Sequence, residues 1–285
     1  MGVRSRRNAP KAFNPRKKLM KIAVLLKQVP DTQSVRLDPD TGTLVRDPAD
    51  AVTNPLDLCA LGAALRLAGG VPETEITAVS MGPASAEQAL RQALSLGAAR
   101  GILICDRACA GSDTYATALI LAAALEKFGP FDLILTGLRA SDGETGQVGP
   151  EIAARLGIPV VTGAESLRRL DSGELEIDRV TETETETIRF SLPALVSAAK
   201  GIGPADLPTL TRKSWARREP IAAVTAAELG LRPDEVGLKA SPTRVVKILH
   251  PRLARGGERI RLVGPDALDR AAARLRALIE EGDVS

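Results

Sequence analysis

The sequence predicts a doubly wound α/β domain: a parallel sheet with helices on both faces, then a small β-hairpin addition and an extended C-terminal arm. Three observations carry this. From about residue 20 to 163, short unbroken aliphatic runs alternate with stretches of helical spacing. Unbroken runs mark strands buried on both faces, and regular alternation with helices marks a parallel sheet. Aromatic residues are 2% of the chain against 44% hydrophobic, so the core is aliphatic.

The elements follow in order. IAVLLK (22–27) reads as the first buried strand. In PLDLCALGAALRLA (55–68), Leu58, Leu61, Leu65 and Leu67 or Ala68 share one broad helical face. EITAVSM (75–81) is a strand. SAEQALRQALSLG (85–97) is a helix, with Ser85 as its cap, Gln88 three residues on, and Gly97 at its end. GILICD (101–106) is a strand, and 113–128 a helix capped by Asp113 or Ser112. FDLILTG (131–137) is a strand; a glycine-rich loop and a helix to about Leu156 follow, and IPVV (158–161) is the fifth strand. Sheets of this kind take ligands at the carboxyl ends of their strands, where the strand order switches.

Past 163 the pattern changes. SLRRLDSGELEIDRV has the form of a hairpin turning at Asp171-Ser172-Gly173. TETETETIRF alternates strictly, with Thr181, Thr183, Thr185 and Thr187 on one side and Glu182, Glu184 and Glu186 on the other. A row of like charges suits a solvated edge strand. ALVSAA (194–199) is one more apolar strand. Residues 200–250 are rich in Gly, Pro and basic groups with little periodicity, which suggests an arm lying across another subunit. DALDRAAARLRALIEE (266–281) is an amphipathic helix whose stripe is Leu268, Ala272, Leu275 and Ile279. The organisation expected is a basic disordered tail at 1–20, the α/β domain with its hairpin at 21–200, and a partner-embracing arm with a C-terminal helix at 201–285.

Composition excludes several functions. The overall charge is +3, but residues 1–20 carry seven basic residues and no acid, leaving −4 for the rest. A mildly acidic body speaks against nucleic-acid binding. No run approaches the ~20 apolar residues of a membrane span, so no membrane insertion is expected. The three cysteines (Cys59, Cys105, Cys109) form no C-x-x-C, and the single histidine, His250, lies far from them. Neither a metal site nor a disulfide framework is implied, and buried thiols suit a reducing compartment such as the cytoplasm. No nucleophile–base pair is apparent, so no catalytic residue is assigned.

The stretch SDGETGQVGPE (141–151) is the most informative. Gly143, Gly146 and Gly149 recur at every third position between a strand and a helix. Strand, glycine-rich turn and helix make the general form of a phosphate cradle, because glycine lets backbone approach an anion and the helix start offers free N–H groups. Thr145 suits the helix cap and Pro150 its first turn. The loop matches neither G-x-G-x-x-G nor the Walker pattern, and it has no Lys. Asp142 and Glu144 would repel a phosphate and are better aimed at ribose hydroxyls or solvent. A plain capped turn is the competing reading.

LLKQVPDT (25–32), VTNPLDLCAL (52–61), AVSMGPASAEQALRQALSLGAARGIL (78–103) and LILTGLRASDGETGQVGPEIAARLGIP (133–159) together resemble the beta subunit of an electron transfer flavoprotein. LPALVSA (192–198) and SPTRVVKI (241–248) extend the likeness more weakly. The resemblance implies a Rossmann-like, adenine-nucleotide-binding fold and a heterodimer with an alpha subunit that holds FAD. It implies a dehydrogenase donor or a quinone-linked acceptor, and a location in the cytoplasm or, in a eukaryote, the mitochondrial matrix. In the beta subunit the nucleotide is AMP in some members and a second FAD, reduced by NADH, in electron-bifurcating ones. Carried over by position, the contacts would be Leu25; Asn54, Pro55, Leu56 and Asp57; and Met81. From the loop they would be Ala140, Ser141, Asp142, Gly143, Glu144 and Thr145, then Gly146, Gln147, Val148, Gly149, Pro150 and Glu151.

The run Asp142 to Pro150 is similar to the bifurcating pattern, with Glu144 in place of an aspartate, so a second FAD is the expected occupant and AMP the alternative. Ile202 takes the position of the apolar anchor for a dehydrogenase. Leu58, Ala205-Asp206 and Thr183-Glu184 depart from the family pattern, and the second of these puts the usual acyl-CoA dehydrogenase partner in question. The rival from another class is a nucleotide-binding regulatory module of universal-stress type with no electron transfer. An adenylating enzyme is weaker, for want of the Lys.

Overall fold

A computed structural model describes residues 19–31, 36–37, 44–45, 51–71, 73–244, 246 and 261–280. The basic head (1–18) and His250 lie outside them. The chain divides into one unit ending at residue 244 and a second holding the remainder. Among the described residues no helix is long and apolar enough to cross a membrane.

The first unit opens with β1 (Met20–Leu25), followed by the short strands β2 (Gln28–Pro30), β3 (Arg36–Leu37), β4 (Leu44–Val45) and β5 (Ala51–Thr53). Then come α1 (Pro55–Gly70), β6 (Thr74–Met81), α2 (Glu87–Leu96), β7 (Arg100–Ile104), α3 (Thr114–Phe128), β8 (Leu133–Gly137), α4 (Val148–Leu156) and β9 (Val160–Ala164). Strand periodicity divides the core. Ile22 and Val24 of β1 join α1 and α2 in one apolar cluster, while Ala23 and Leu25 join α3 and α4 in the other. Each such Leu or Ile, fully buried, contributes roughly 1.5–3 kcal/mol.

The rest of the unit adds β10 (Arg168–Arg169), β11 (Leu175–Val180), β12 (Thr185–Phe190), β13 (Ala194–Ala198), α5 (Leu210–Ala216), β14 (Ile221–Val224) and α6 (Gly237–Ala240). The large sheet runs β10-β11-β9-β13-β8-β1-β6-β7-β14, with β12 on β11. From β9 to β14 every pairing is parallel, and the hairpin strands are antiparallel. The second unit contains α7 (Ala267–Glu280), on which Leu268, Leu275 and Ile279 are exposed.

Several expectations are corrected. The parallel sheet does not end at 163, because β13 inserts between β8 and β9. The segment read as an irregular arm is regular in part: β14 pairs with β7, and Arg212 on α5 donates to the Leu94 and Ala98 carbonyls at the end of α2. Ser85 does not cap α2; a 3-10 turn (Ala84–Ala86) precedes that helix, and the Ser85 hydroxyl donates to Gln28 Oε1 at 2.8 Å. Residues 181–184 are a reversal closed by Thr181 N–H on the Glu184 carbonyl, so β12 starts only at Thr185.

Candidate functional site

The chain runs from β1 through β6 to β7, then returns to place β8 on the other side of β1. Connections leave that junction toward opposite faces, which opens a crevice beyond the strand ends. Here it is a cleft of about 370 Å³, walled by Leu25 to Lys27, Val79, Met81, Thr136 to Leu138 and the loop leading to α4. The opposite wall is the start of α3, at Ser112, Asp113 and Thr114. The first turns of two helices thus border the same space; that of α3 is capped by the Asp113 carboxylate, whereas that of α4 keeps open amides and a partial positive charge.

The loop is built to leave its amides unused. It turns on the Glu144 amide, which donates to the Ala140 carbonyl at 2.8 Å. Glu144 and Gly146 then take positive φ, +50° and +64°. Glycine accepts that conformation freely, whereas Glu144 bears a local strain. Among the described residues no backbone acceptor meets the amides of Thr145, Gly146 and Gln147, and those of Val148 and Gly149 fall in the open first turn of α4. The helix is capped at Gln147 with no side-chain bond, which replaces the expected Thr145 cap.

The glycines differ in purpose. A Cβ on Gly143 would meet nothing within 4 Å, so that side faces open space. A Cβ on Gly149 would lie 3.1 Å from Thr136 Oγ1 and 3.4 Å from Leu195 Cδ2, so Gly149 lets α4 press on the sheet. Thr136 Oγ1 is itself buried without a hydrogen-bond partner among the described residues.

Beneath the loop lies a buried bracket. Asp57 Oδ2 accepts from the Lys27 amide at 2.7 Å, and Oδ1 accepts from the Gly137 amide at 3.1 Å and from Asn54 Nδ2 at 2.9 Å. Asn54 Nδ2 also donates to the Arg139 carbonyl at 3.0 Å, and its Oδ1 accepts from the Ser141 amide at 3.3 Å. Burial pushes the Asp57 carboxyl up from 3.8 to about 7, against the pull of its three hydrogen bonds and of Lys27. Across the mouth, Lys27 Nζ pairs with Asp142 at 2.7 Å, and Arg139 stands 3.9 Å from Glu144. Asp113 caps α3 through the Ala116 amide and also accepts from Thr243; burial, the largest single influence, raises its pKa, and these hydrogen bonds together outweigh it and hold the carboxyl below its usual range.

Of the residues singled out from sequence, Leu25, Asp57, Met81, Ala140 and Asp142 to Gly149 line the cleft. Asn54, Pro55, Leu56, Ser141, Pro150 and Glu151 do not line it; Glu151 accepts from Thr114 Oγ1 at 3.1 Å. Sequence reasoning missed Lys27, Thr136, Gly137 and Arg139. All four sit at or just past the carboxyl end of a strand already read, which is the signal that would have found them.

The family model described as "Electron transfer flavoprotein domain" matches residues 41–229. The electron transfer flavoprotein subunit beta of Thermoanaerobacterium thermosaccharolyticum is 42% identical over 241 residues, 84% of this chain and 91% of that protein. The chain belongs to the electron transfer flavoprotein beta subunit family. The subunit CarD of the caffeyl-CoA reductase-Etf complex of Acetobacterium woodii is 40% identical over 85% of this chain and 92% of its own length. Protein FixA of Rhizobium meliloti is 39% identical over 81% and 82%.

This flavoprotein-family chain carries Ile202 half-buried against the core that contains α1. Arg66 fastens the backbone there, donating to the carbonyls of Ile202, Gly203 and Pro204. The prominent apolar side chains nearby are Leu207 and Leu210, 95% and 84% exposed.

Proposed function

We propose that this chain is the nucleotide-holding beta subunit of a heterodimeric electron transfer flavoprotein. Its cleft takes an adenine nucleotide, a second FAD in preference to AMP, and the complex passes electrons between a dehydrogenase or NADH and an acceptor. The observation that carries the reading is the set of unpartnered amides at 145–149 beside a cleft at the sheet's switch point. Three features fit the ligand. The amides and the α4 start suit a diphosphate. The space is of the scale of small-molecule sites. The wall at Leu25, Val79 and Met81 is apolar, as a base or ring requires.

A bound flavin supplies the electron exchange, and the protein's residues do the rest. The amides of residues 145–149 hold the phosphates, and Lys27, now paired with Asp142, adds a cation at the mouth. Asp142 and Glu144 face outward to hydroxyls or water. Family membership and the run Asp142 to Pro150 support FAD. A relative that is named as part of a reductase–Etf complex supports a role beside a dehydrogenase. Residues 201–210 with Ile202 dock the donor. α7, through its exposed Leu268, Leu275 and Ile279, docks on the FAD-bearing alpha subunit. Extraction of nucleotide from the chain co-purified with its alpha partner tests this: two flavins per pair are expected. One flavin with one AMP would replace the bifurcating reading by the simple carrier. A colourless homo-oligomer without nucleotide would favour the regulatory module instead.

A further inference from the structure

A dinucleotide needs more room than the cleft offers: about 370 Å³ stands near the lower end of the ~300–1,000 Å³ of small-molecule sites and suits a mononucleotide. For a second FAD to enter, one wall has to give. Leu25, Val79 and Thr136 belong to neighbouring strands of the parallel sheet, and the loop before α4 is tied by Asn54 to the Arg139 carbonyl and the Ser141 amide. The wall at Cys109 and Gly111 to Thr114 differs, because a separate stretch of chain fastens it. That stretch is the strap 236–243, which carries α6 and contributes no residue to the lining. Val236 roots it, 1% exposed, in the apolar cluster that contains α3. Gly237 follows at φ +69°, where a Cβ would lie 2.2 Å from the Ala108 carbonyl oxygen, so only glycine lets the strap press on the loop before α3. Beyond that root the fastening is polar. The Gly237 amide donates to Ser112 Oγ at 3.1 Å, and the Leu238 amide to the Ala110 carbonyl at 3.2 Å. Ser241 Oγ accepts from the Asp113 amide at 2.9 Å, and Asp113 Oδ2 accepts from the amide and the hydroxyl of Thr243 at 2.9 and 2.8 Å. Leu238, Pro242, Thr243 and Arg244 are exposed. A segment rooted at one end and held elsewhere by a few exposed hydrogen bonds opens readily.

We propose that the strap 236–243 is a latch: it swings on Gly237, frees Ser112 and Asp113 so that a dinucleotide can enter or leave, and closes again on the Asp113 carboxylate. The inference rests on the reading of the cleft as a site for FAD. A latch that opens alike with and without ligand changes the speed of exchange and leaves the affinity alone. A strap that only supported the wall would change the affinity, through release. A mononucleotide, which the closed cleft accommodates, needs no opening.

The test is stopped-flow binding to the full-length chain, stripped of nucleotide. The ligands are FAD, followed by flavin fluorescence, and etheno-AMP, a fluorescent mononucleotide. The variants are Ser241→Ala with Thr243→Val, which removes both hydroxyls, and Thr243→Ser, which keeps the donors to Asp113. Loss of one hydrogen bond to a carboxylate and one to an amide should raise FAD association and dissociation together by about tenfold or more. The FAD Kd should stay within about twofold, and the etheno-AMP rates should move less than about twofold. Trypsin should cut after Arg244 correspondingly faster, and Thr243→Ser should match the unaltered chain. Unchanged FAD rates overturn the proposal, whatever the cleavage shows. A weaker Kd carried by dissociation alone means support of the wall and overturns it, as does an equal acceleration of both ligands. An unaltered chain that binds etheno-AMP but not FAD also overturns it, since the latch then admits nothing. Binding of neither ligand fails the reading of the cleft, which is a separate result. Thermal melting checks folding. Thr243 is exposed, so Thr243→Val alone keeps the test if the double variant does not fold.

Discussion

Replacing Gly62 by alanine sets two opposing effects against each other on α1. Inside a helix, Gly→Ala ordinarily stabilises by about 0.8–1 kcal/mol. At Gly62, however, the new Cβ would lie 2.5 Å from the Pro204 carbonyl carbon, 2.6 Å from the Ala205 nitrogen and 2.7 Å from the Pro204 oxygen. These are backbone atoms, so no side chain can swing aside. Restoring ordinary contact requires the loop at 202–205 to retreat by about 1 Å. That retreat strains the overpacked contact, at about 1–3 kcal/mol, and pulls the three carbonyls away from Arg66. The clash wins: Gly62→Ala should destabilise by up to about 2 kcal/mol, the overpacking less the propensity gain. Urea denaturation measures it, and limited proteolysis within 202–208 should speed up. Gly69→Ala, on the same helix with nothing within 4 Å of its Cβ, is the control and should stabilise by up to about 1 kcal/mol. If Gly62→Ala proved as stabilising as Gly69→Ala, the close approach of loop and helix would be refuted.

Two other glycines should separate in the same way. Gly149→Val, pressed on Thr136 and Leu195, should cost about 1–3 kcal/mol by denaturant melt, whereas Gly143→Ala should stay within about 0.5 kcal/mol. Asp57 should give stability an inverse pH dependence. Its folded pKa, about 7, lies above the unfolded 3.8, so in that window the folded chain keeps a proton the unfolded chain has released, and stability falls as pH rises. The full effect is at most about 4 kcal/mol, from the interval between those values at 1.36 kcal/mol per unit. Melts from pH 4 to 8 should show this slope in the unaltered chain and lose it in Asp57→Asn; an unchanged slope in the variant would assign it to other groups.

The parallel strands and the helices between them were legible because burial on two faces writes itself as aliphatic runs, as at IAVLLK and LILTG. The glycine-rich loop was legible for the same local reason: the strand before it and the helix after it are both strongly marked. β14 was not, since four residues, IAAV, carry no period of their own and become a strand only by lying against β7. The place of β13 was equally hidden, because strand order is a long-range property. Thr145 and Ser85 look like caps, yet the backbone enters each helix one turn differently, through Gln147 and through a 3-10 turn. Asn54 and Asp57 were noticed as a motif, but their bonds to Lys27, Gly137 and Ser141 join parts of the chain 30 to 87 positions distant.

The insertion of β13 sets an order of events during synthesis. Until residues 194–198 have left the ribosome, β8 has one bare edge and β9 has no parallel neighbour to join. The nascent amino-terminal half therefore emerges with open hydrogen-bonding rims, the kind of surface that invites self-association. A truncation before residue 190 should be insoluble rather than a smaller working version: every residue that lines the crevice, Leu25 to Gly149, would be present, yet β8 would keep a bare edge.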